Sequence, residues 1–255
     1  MKTKLLALIH TVSWYDKSVI NPFVKPWLER NPDVRVVNIM DDSLLAESLV
    51  HNGATPAVLK RIQHYVMAAE AMGADAVMCS CTTVGEATRI AREYASIPVF
   101  NIDEPMAHEA VRLGKRMGII ATVPTSPAAT QRQLERAAQA AGKTISLKIA
   151  VNEKAFEHLQ RGEIEQHNEL VHREMDKLAK KVDVLVLGQI SLAQIQHRNG
   201  VPVLQVGHSG LAEARRLLDL PRAHADGGGD GDGKPAPRPV RAAPATPRRQ
   251  PTTCV

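Results

Sequence analysis

The chain has 255 residues, of which 44% are hydrophobic, 23% charged and only 3% aromatic, enough for one large or two small domains. No apolar run approaches the roughly 18–20 residues of a membrane helix, and three cysteines (Cys79, Cys81, Cys254) cannot make a disulfide framework. The net charge is +5, and residues 222–255 carry six Lys/Arg against three Asp, so the remainder is too weakly basic for a nucleic-acid surface.

All eight aromatics precede residue 222, which leaves the tail without a stacking platform for bases. Five Gly and six Pro in that tail predict disorder, because so little apolar surface cannot offset the entropy of ordering. The apolar residues 5–9 run into His10 with no small-residue cleavage site, so no signal peptide is expected. A reducing cytoplasm is the expected compartment.

In chain order, short runs rich in Val and Ile fall at 5–9, 34–39, 74–79, 99–102, 117–121, 145–151, 182–187 and 201–206. They are mostly continuous rather than alternating, which predicts parallel strands buried on both faces. Between them, residues 56–72 set Val58, Ile62, Tyr65, Val66 and Ala69 on one helical stripe. A helix over 126–141 opens with Ser-Pro and stops at Gly142. Residues 152–180 read as two helical pieces broken near Gly162, with His158, His167 and His172 on a solvated face. Such alternation predicts an α/β fold with parallel sheets.

The chain also repeats itself. Ile9-His10-Thr11-Val12 returns as Ile120-Ala121-Thr122-Val123, Asp75-Ala76-Val77-Met78 as Asp183-Val184-Leu185-Val186, and Ile97-Pro98-Val99 as Val201-Pro202-Val203. The expectation is two similar Rossmann-like halves, each with a parallel four-stranded sheet, related by a pseudo-two-fold axis. Residues 1–105 with 205–221 form the first half and 106–204 the second, with 222–255 as the tail. Ligands of parallel sheets bind outside the carboxyl ends of the strands, so the site is expected in the cleft between halves.

Several residues should reach that cleft. Cys81 follows the run 74–79 and opens a turn, Thr82-Thr83-Val84-Gly85, into a helix. Helix N-terminal N–H groups there favour a thiolate and, with Thr82 and Thr83, could cradle a carboxylate; a buried structural cysteine fits the same spacing. Cys79 and Cys81 form a Cys-x-Cys, but no second Cys pair or spaced His accompanies it, so no metal is expected. His10 and Ser13 follow the first strand, and Thr122, Thr125 and Ser126 follow its repeat. Ser126 also fits plain helix capping. Asp42 either points inward or caps a helix at Leu44, and His208 after the last strand has the same two readings.

Taken together, the two-half pattern, Cys81-Thr82-Thr83 and Val186-Leu187-Gly188 resemble the aspartate/glutamate/hydantoin racemase superfamily over roughly residues 4–220. The resemblance implies catalysis without pyridoxal phosphate, metal or other cofactor. Two cysteines, one per half, would exchange a proton on opposite faces of the substrate's α-carbon. Cys81 matches the first cysteine, and Thr82-Thr83 the Asn-Thr that helps bind the substrate carboxylate. At the second, this chain reads Leu187-Gly188-Gln189-Ile190-Ser191, and an amide is neither acid nor base near neutral pH. Asp42, His10, His208 or a water held by Gln189 and Ser191 are the candidates to replace it. Relatives that decarboxylate with one cysteine, or isomerise a double bond with a nucleophilic one, keep those reactions open. So does a non-catalytic carboxylate-binding protein on the same scaffold. The expected partner is a small carboxylate, with no nucleic acid and no membrane. A homo-oligomer is the default for a soluble enzyme.

Overall fold

The eight apolar runs become eight parallel strands in a computed structural model that describes residues 3–196 and 200–221. Strands β1 (Lys4–His10), β2 (Val34–Met40), β3 (Ala76–Cys79) and β4 (Val99–Asn101) form one sheet, ordered β2-β1-β3-β4. Strands β5 (Arg116–Ala121), β6 (Ser146–Val151), β7 (Val184–Leu187) and β8 (Val203–Gln205) form a second, ordered β6-β5-β7-β8. Each sheet thus repeats the same order with all pairs parallel, an α/β architecture of two similar halves. The expected tail, with Cys254, lies outside the described residues.

Nine α-helices connect the strands among the described residues: α1 (Lys25–Glu29), α2 (Ser43–Val50), α3 (Pro56–Ala71), α4 (Gly85–Arg92), α5 (Glu104–Leu113), α6 (Ser126–Ala140), α7 (Glu153–Gln160), α8 (Ile164–Ala179) and α9 (His208–Asp219). Their ends follow local chemistry. Thr55 caps α3, its hydroxyl accepting the Val58 N–H at 3.2 Å, with Pro56 in the first turn. Asn152 caps α7 in the same way through the Ala155 N–H. Gly162, at φ +78°, makes the turn between α7 and α8 that an L side chain resists. A π-helical run, Asp16–Val24, leads into α1 and had no counterpart in the sequence pattern. None of these helices is long and apolar enough to cross a membrane.

Alternate residues of the inner strands face different cores. Leu6, Leu8, Met78, Met117, Ile119, Val184 and Val186 share one central core with Met106 of α5 and Leu211 of α9. Ala7, Ile9 and Val77 pack outward under α3 and α4 with Ile62, Val66 and Ala87. Ile120, Leu185 and Leu187 pack outward under α8 with Val171 and Met175. The two halves are therefore joined by apolar packing as well as by chain.

Two sequence expectations need correction. Burial on both faces fits β1, β3, β4, β5 and β7, but β2 and β6 mix partly covered and exposed residues, as strands with one face left open do. His167 is 1% exposed rather than on a solvated face. It lies on the same buried stripe of α8 as Val171, Met175 and Leu178, a stripe hidden in the sequence by intervening charges.

Helix α9, the last described element, packs back on the first sheet. It lies against β1 and β3, with Arg215 paired to Asp33 at 2.9 Å and Lys4 to Asp219 at 2.6 Å. Gly210 permits this approach: a Cβ there would sit 2.7 Å from Ile102 Cγ1 and 3.2 Å from its carbonyl oxygen. Gly210→Ala should therefore lower stability by about 1–3 kcal/mol through overpacking. Urea unfolding of the full chain would read this as a lower midpoint with unchanged slope.

Candidate active site

The carboxyl ends of β3 and β7 are built alike. Two residues beyond each strand stand Cys81 and Gln189, both in extended backbone, and each is followed by a single 3₁₀ turn, Thr82–Val84 or Ile190–Leu192. Helix α6 crosses close behind the second of these turns, and any side chain at Gly188 would collide with Thr130.

Between the two turns lies a small cavity of about 60 Å³. Ser80, Cys81, Thr82, Thr83, Ser126, Gln189 and Ser191 supply its chemistry, and Trp14, Leu45, Phe156 and Ile190 are among its apolar walls. Polar contacts cross the cleft here. The Thr82 hydroxyl donates to the Gly188 carbonyl, and the Thr83 and Thr125 hydroxyls meet at 3.2 Å. Ser126 Oγ, in the first turn of α6, is buried and has no hydrogen-bond partner among the described residues. An unpaired hydroxyl that lines a cavity beside a helix N-terminus is matched to an acceptor such as a carboxylate.

Gln189 is clamped. Its Oε1 accepts the backbone N–H groups of Thr122 at 2.6 Å and Val123 at 3.3 Å, and its Nε2 donates to Thr122 Oγ1 at 3.3 Å. The amide has a second N–H to offer and no way to carry a proton. Cys81 differs from expectation. Burial, the largest influence, pushes its thiol above the ordinary range, while the Thr11 and Thr83 hydroxyls and the Thr83 and Val84 N–H groups pull it back. The helix-end donors foreseen from the sequence are present, yet desolvation outweighs them, so the thiol of the unliganded chain stays protonated at neutral pH. Cys79 is fully buried and, chiefly by desolvation, pushed up to about 12.

The other sequence candidates divide. Thr122 is buried and serves Gln189, and Thr125 serves Thr83. His10 is buried behind the cavity wall, its Nδ1 3.0 Å from Ser80 Oγ, its Nε2 2.9 Å from Asn38 Oδ1 and its ring stacked on Tyr15. Asp42 is exposed at the start of α2, where its neighbour Asp41 makes the contacts, accepting from Ser43, Arg61 and Tyr65. Ser13 is exposed, and His208 is exposed with its ring edge-on to Phe23. Neither Asp42, Ser13 nor His208 lines the cavity. Sequence reasoning missed Thr11, Leu45 and Phe156, which carry no motif. Among the described residues no group of three or more His, Cys, Asp or Glu could hold a metal ion.

Alkylation of Cys81 by iodoacetamide should titrate with a midpoint above the usual thiol value of about 8.5. Thr11→Val, which removes a donor to the thiolate, should move it higher still. A midpoint below 8.5 would contradict the dominance of burial.

Comparison with known proteins places this geometry. The family model for Asp/Glu/hydantoin racemases matches residues 30–214. No curated protein matches the sequence. Among solved structures, a Yersinia pestis protein provisionally assigned as an Asp/Glu racemase superposes with a TM-score of 0.67 at 15% identity, covering 84% of this chain and 99% of its own. An aspartate racemase homologue of Pyrococcus horikoshii gives 0.63 at 15% identity, over 85% and 100%. Allantoin racemase of Klebsiella pneumoniae gives 0.56 at 19% identity, over 85% and 88%. At such identities the likeness is one of fold, and the sequence match carries the kinship: the chain belongs to the Asp/Glu/hydantoin racemase family.

Proposed function

We propose that the chain is a cofactor-independent enzyme that delivers a proton to the α-carbon of a small carboxylate, with Cys81 as its proton carrier. One observation carries this reading. Among the described residues lining the cavity, Cys81 is the only titratable side chain, and the equivalent place in the second half holds a clamped amide. In this reading Gln189 stands where the family's second cysteine would stand. Its second N–H and the hydroxyls of Thr83, Ser126 and Ser191 hold substrate oxygens and stabilise an enolate as it forms.

A carrier on one side favours one-faced chemistry. As the bond to a departing carboxylate breaks, its electron pair stays on the α-carbon as an enolate and carbon dioxide leaves, and the protonated Cys81 gives its hydrogen to that carbon. The new C–H bond forms as S–H breaks, and the thiolate then recovers a proton from water. The apolar walls favour such a step by excluding water from the developing charge. Racemisation, the second reading, is favoured by kinship. It needs a second carrier, and His10, one hydroxyl behind the wall through Ser80, is the imidazole available.

The test is proton NMR in D₂O on aspartate, glutamate, hydantoins, maleate and substituted malonates. Wild type should place one deuterium at the α-carbon of a substrate, and chiral analysis should find a single configuration. Cys81→Ala should slow that turnover by about 10²-fold or more. A racemic product would replace the one-faced reading with the two-carrier one. Silence across the panel, while one of its carboxylates still protects Cys81 from alkylation, would leave a carboxylate-binding protein.

A further inference from the structure

No charged side chain stands among the described residues that line the cavity. Charges on the elements around it are spent elsewhere. Glu47 of α2 pairs with Arg61 of α3, and Glu86 of α4 with Arg89 and with Arg136 of α6. His10, behind the wall, is held below its ordinary range chiefly by burial, so it brings no charge at neutral pH. An anion that enters is met by neutral donors alone, and these are few. Ser80 is committed to His10 and the Ile9 carbonyl, and Thr82 to the Gly188 carbonyl. The Ser126 hydroxyl, 2% exposed and without a partner among the described residues, and the second N–H of Gln189 can serve the two oxygens of one carboxylate.

The remaining walls offer surface of another kind. Val12, Trp14 and Leu45 come from the first half, and Val123, Phe156 and Ile190 from the second. Trp14 and Phe156 are two of only eight aromatics in the chain, and Trp14 is left 40% exposed. A large aromatic left open beside a cavity is covered by an apolar group on a ligand.

We propose that the cavity selects an acid that carries an apolar arm on its α-carbon, and turns away both free amino acids and acids with a second carboxylate on that arm. This deepens the preceding reading and rests on it, since the cavity at Cys81 is taken as the place where a carboxylate binds. Unpaired charge is the reason. A side-chain carboxylate, as in aspartate or glutamate, would enter a lining with no cation to meet it. An α-ammonium would find no carboxylate to receive it. Either group gives up its water on entry and regains little, which weakens binding steeply. An aryl or branched-alkyl arm loses nothing and gains the walls. A carboxylate that departs as carbon dioxide is exempt, being bonded to the α-carbon itself, where an unfavourable setting speeds its loss. Leu45 and Phe156, one from each half, are then specificity-determining residues.

The test reads binding without turnover, as protection of Cys81 from iodoacetamide in the full chain, followed by peptide mass. 3-Methylbutanoate and 3-phenylpropanoate should slow alkylation in a saturable way. Valine and phenylalanine add only an ammonium to these acids, and succinate puts a carboxylate in place of the phenyl ring. All three should need concentrations about tenfold higher or more for equal protection, a modest share of what an unpaired buried charge costs. Leu45→Lys supplies a cation to the wall and should raise protection by succinate above that by 3-phenylpropanoate. Succinate or the amino acids protecting wild type as well as the apolar acids would overturn the proposal, as would protection by neither class. An unchanged order in folded Leu45→Lys would overturn it as well; should that variant fail to fold, the wild-type ranking decides. The two readings fail separately. Equal protection by both classes, with Cys81-dependent turnover of one of them, leaves the catalytic reading and removes this one. Protection by the apolar acids alone, with silence across the NMR panel, does the reverse.

Discussion

A threonine hydroxyl owns one hydrogen, and the site is organised around where Thr82 sends it. The turns after β3 and β7 bring buried backbone and hydroxyl groups together in a cavity with little room for water. Each such group must find its partner in the opposite half or remain unpaired at a cost of about 1–3 kcal/mol. Thr82 meets Gly188 and Thr83 meets Thr125 across the cleft, while within the second half Gln189 is tied to Thr122 and Val123. The shape of the cavity is thus set by hydrogen-bond bookkeeping as much as by apolar packing. Among the described residues, the Ser126 and Thr130 hydroxyls are left over, and of the two only Ser126 lines the cavity.

The same scarcity of water governs the thiol. Four donors surround the Cys81 sulfur, enough in an exposed turn to favour the anion, yet burial reverses the balance. A ligand that brings its own carboxylate would add a further anion to this neutral pocket. In the proposed reaction the thiol proton is therefore one to give rather than one already removed. Gln189 complements it by offering a fixed N–H without competing for that proton.

Much of the fold was legible in the sequence because it depends on short-range pattern. Runs of Val and Ile located all eight strands, and the repeated segments at Ile9 and Ile120 mark the carboxyl ends of β1 and β5. Cys81, Thr82, Thr83, Ser126, Gln189 and Ser191 reach one cavity because all follow strands or open helices. What failed depends on three-dimensional context. Asp42 and Asp41 are neighbours in sequence, and only packing against Arg61 and Tyr65 decides which carboxylate turns inward. The elevated Cys81 thiol could not be read, since desolvation comes from walls such as Leu45 and Phe156 that arrive from distant helices.

The position of α9 has a consequence for how the protein is made. The first sheet is complete in strands by Asn101, but its inner face is covered by a helix that begins only at His208 and is fastened to the opening strand through Lys4 and Asp219. The ribosome has synthesised the entire second half before that cover exists. Leu6, Leu8 and Met78, which belong to the shared core, must wait uncovered or borrow temporary shelter during translation. The two halves look like duplicates, yet they are not interchangeable in time: the half that starts first is the one that finishes last.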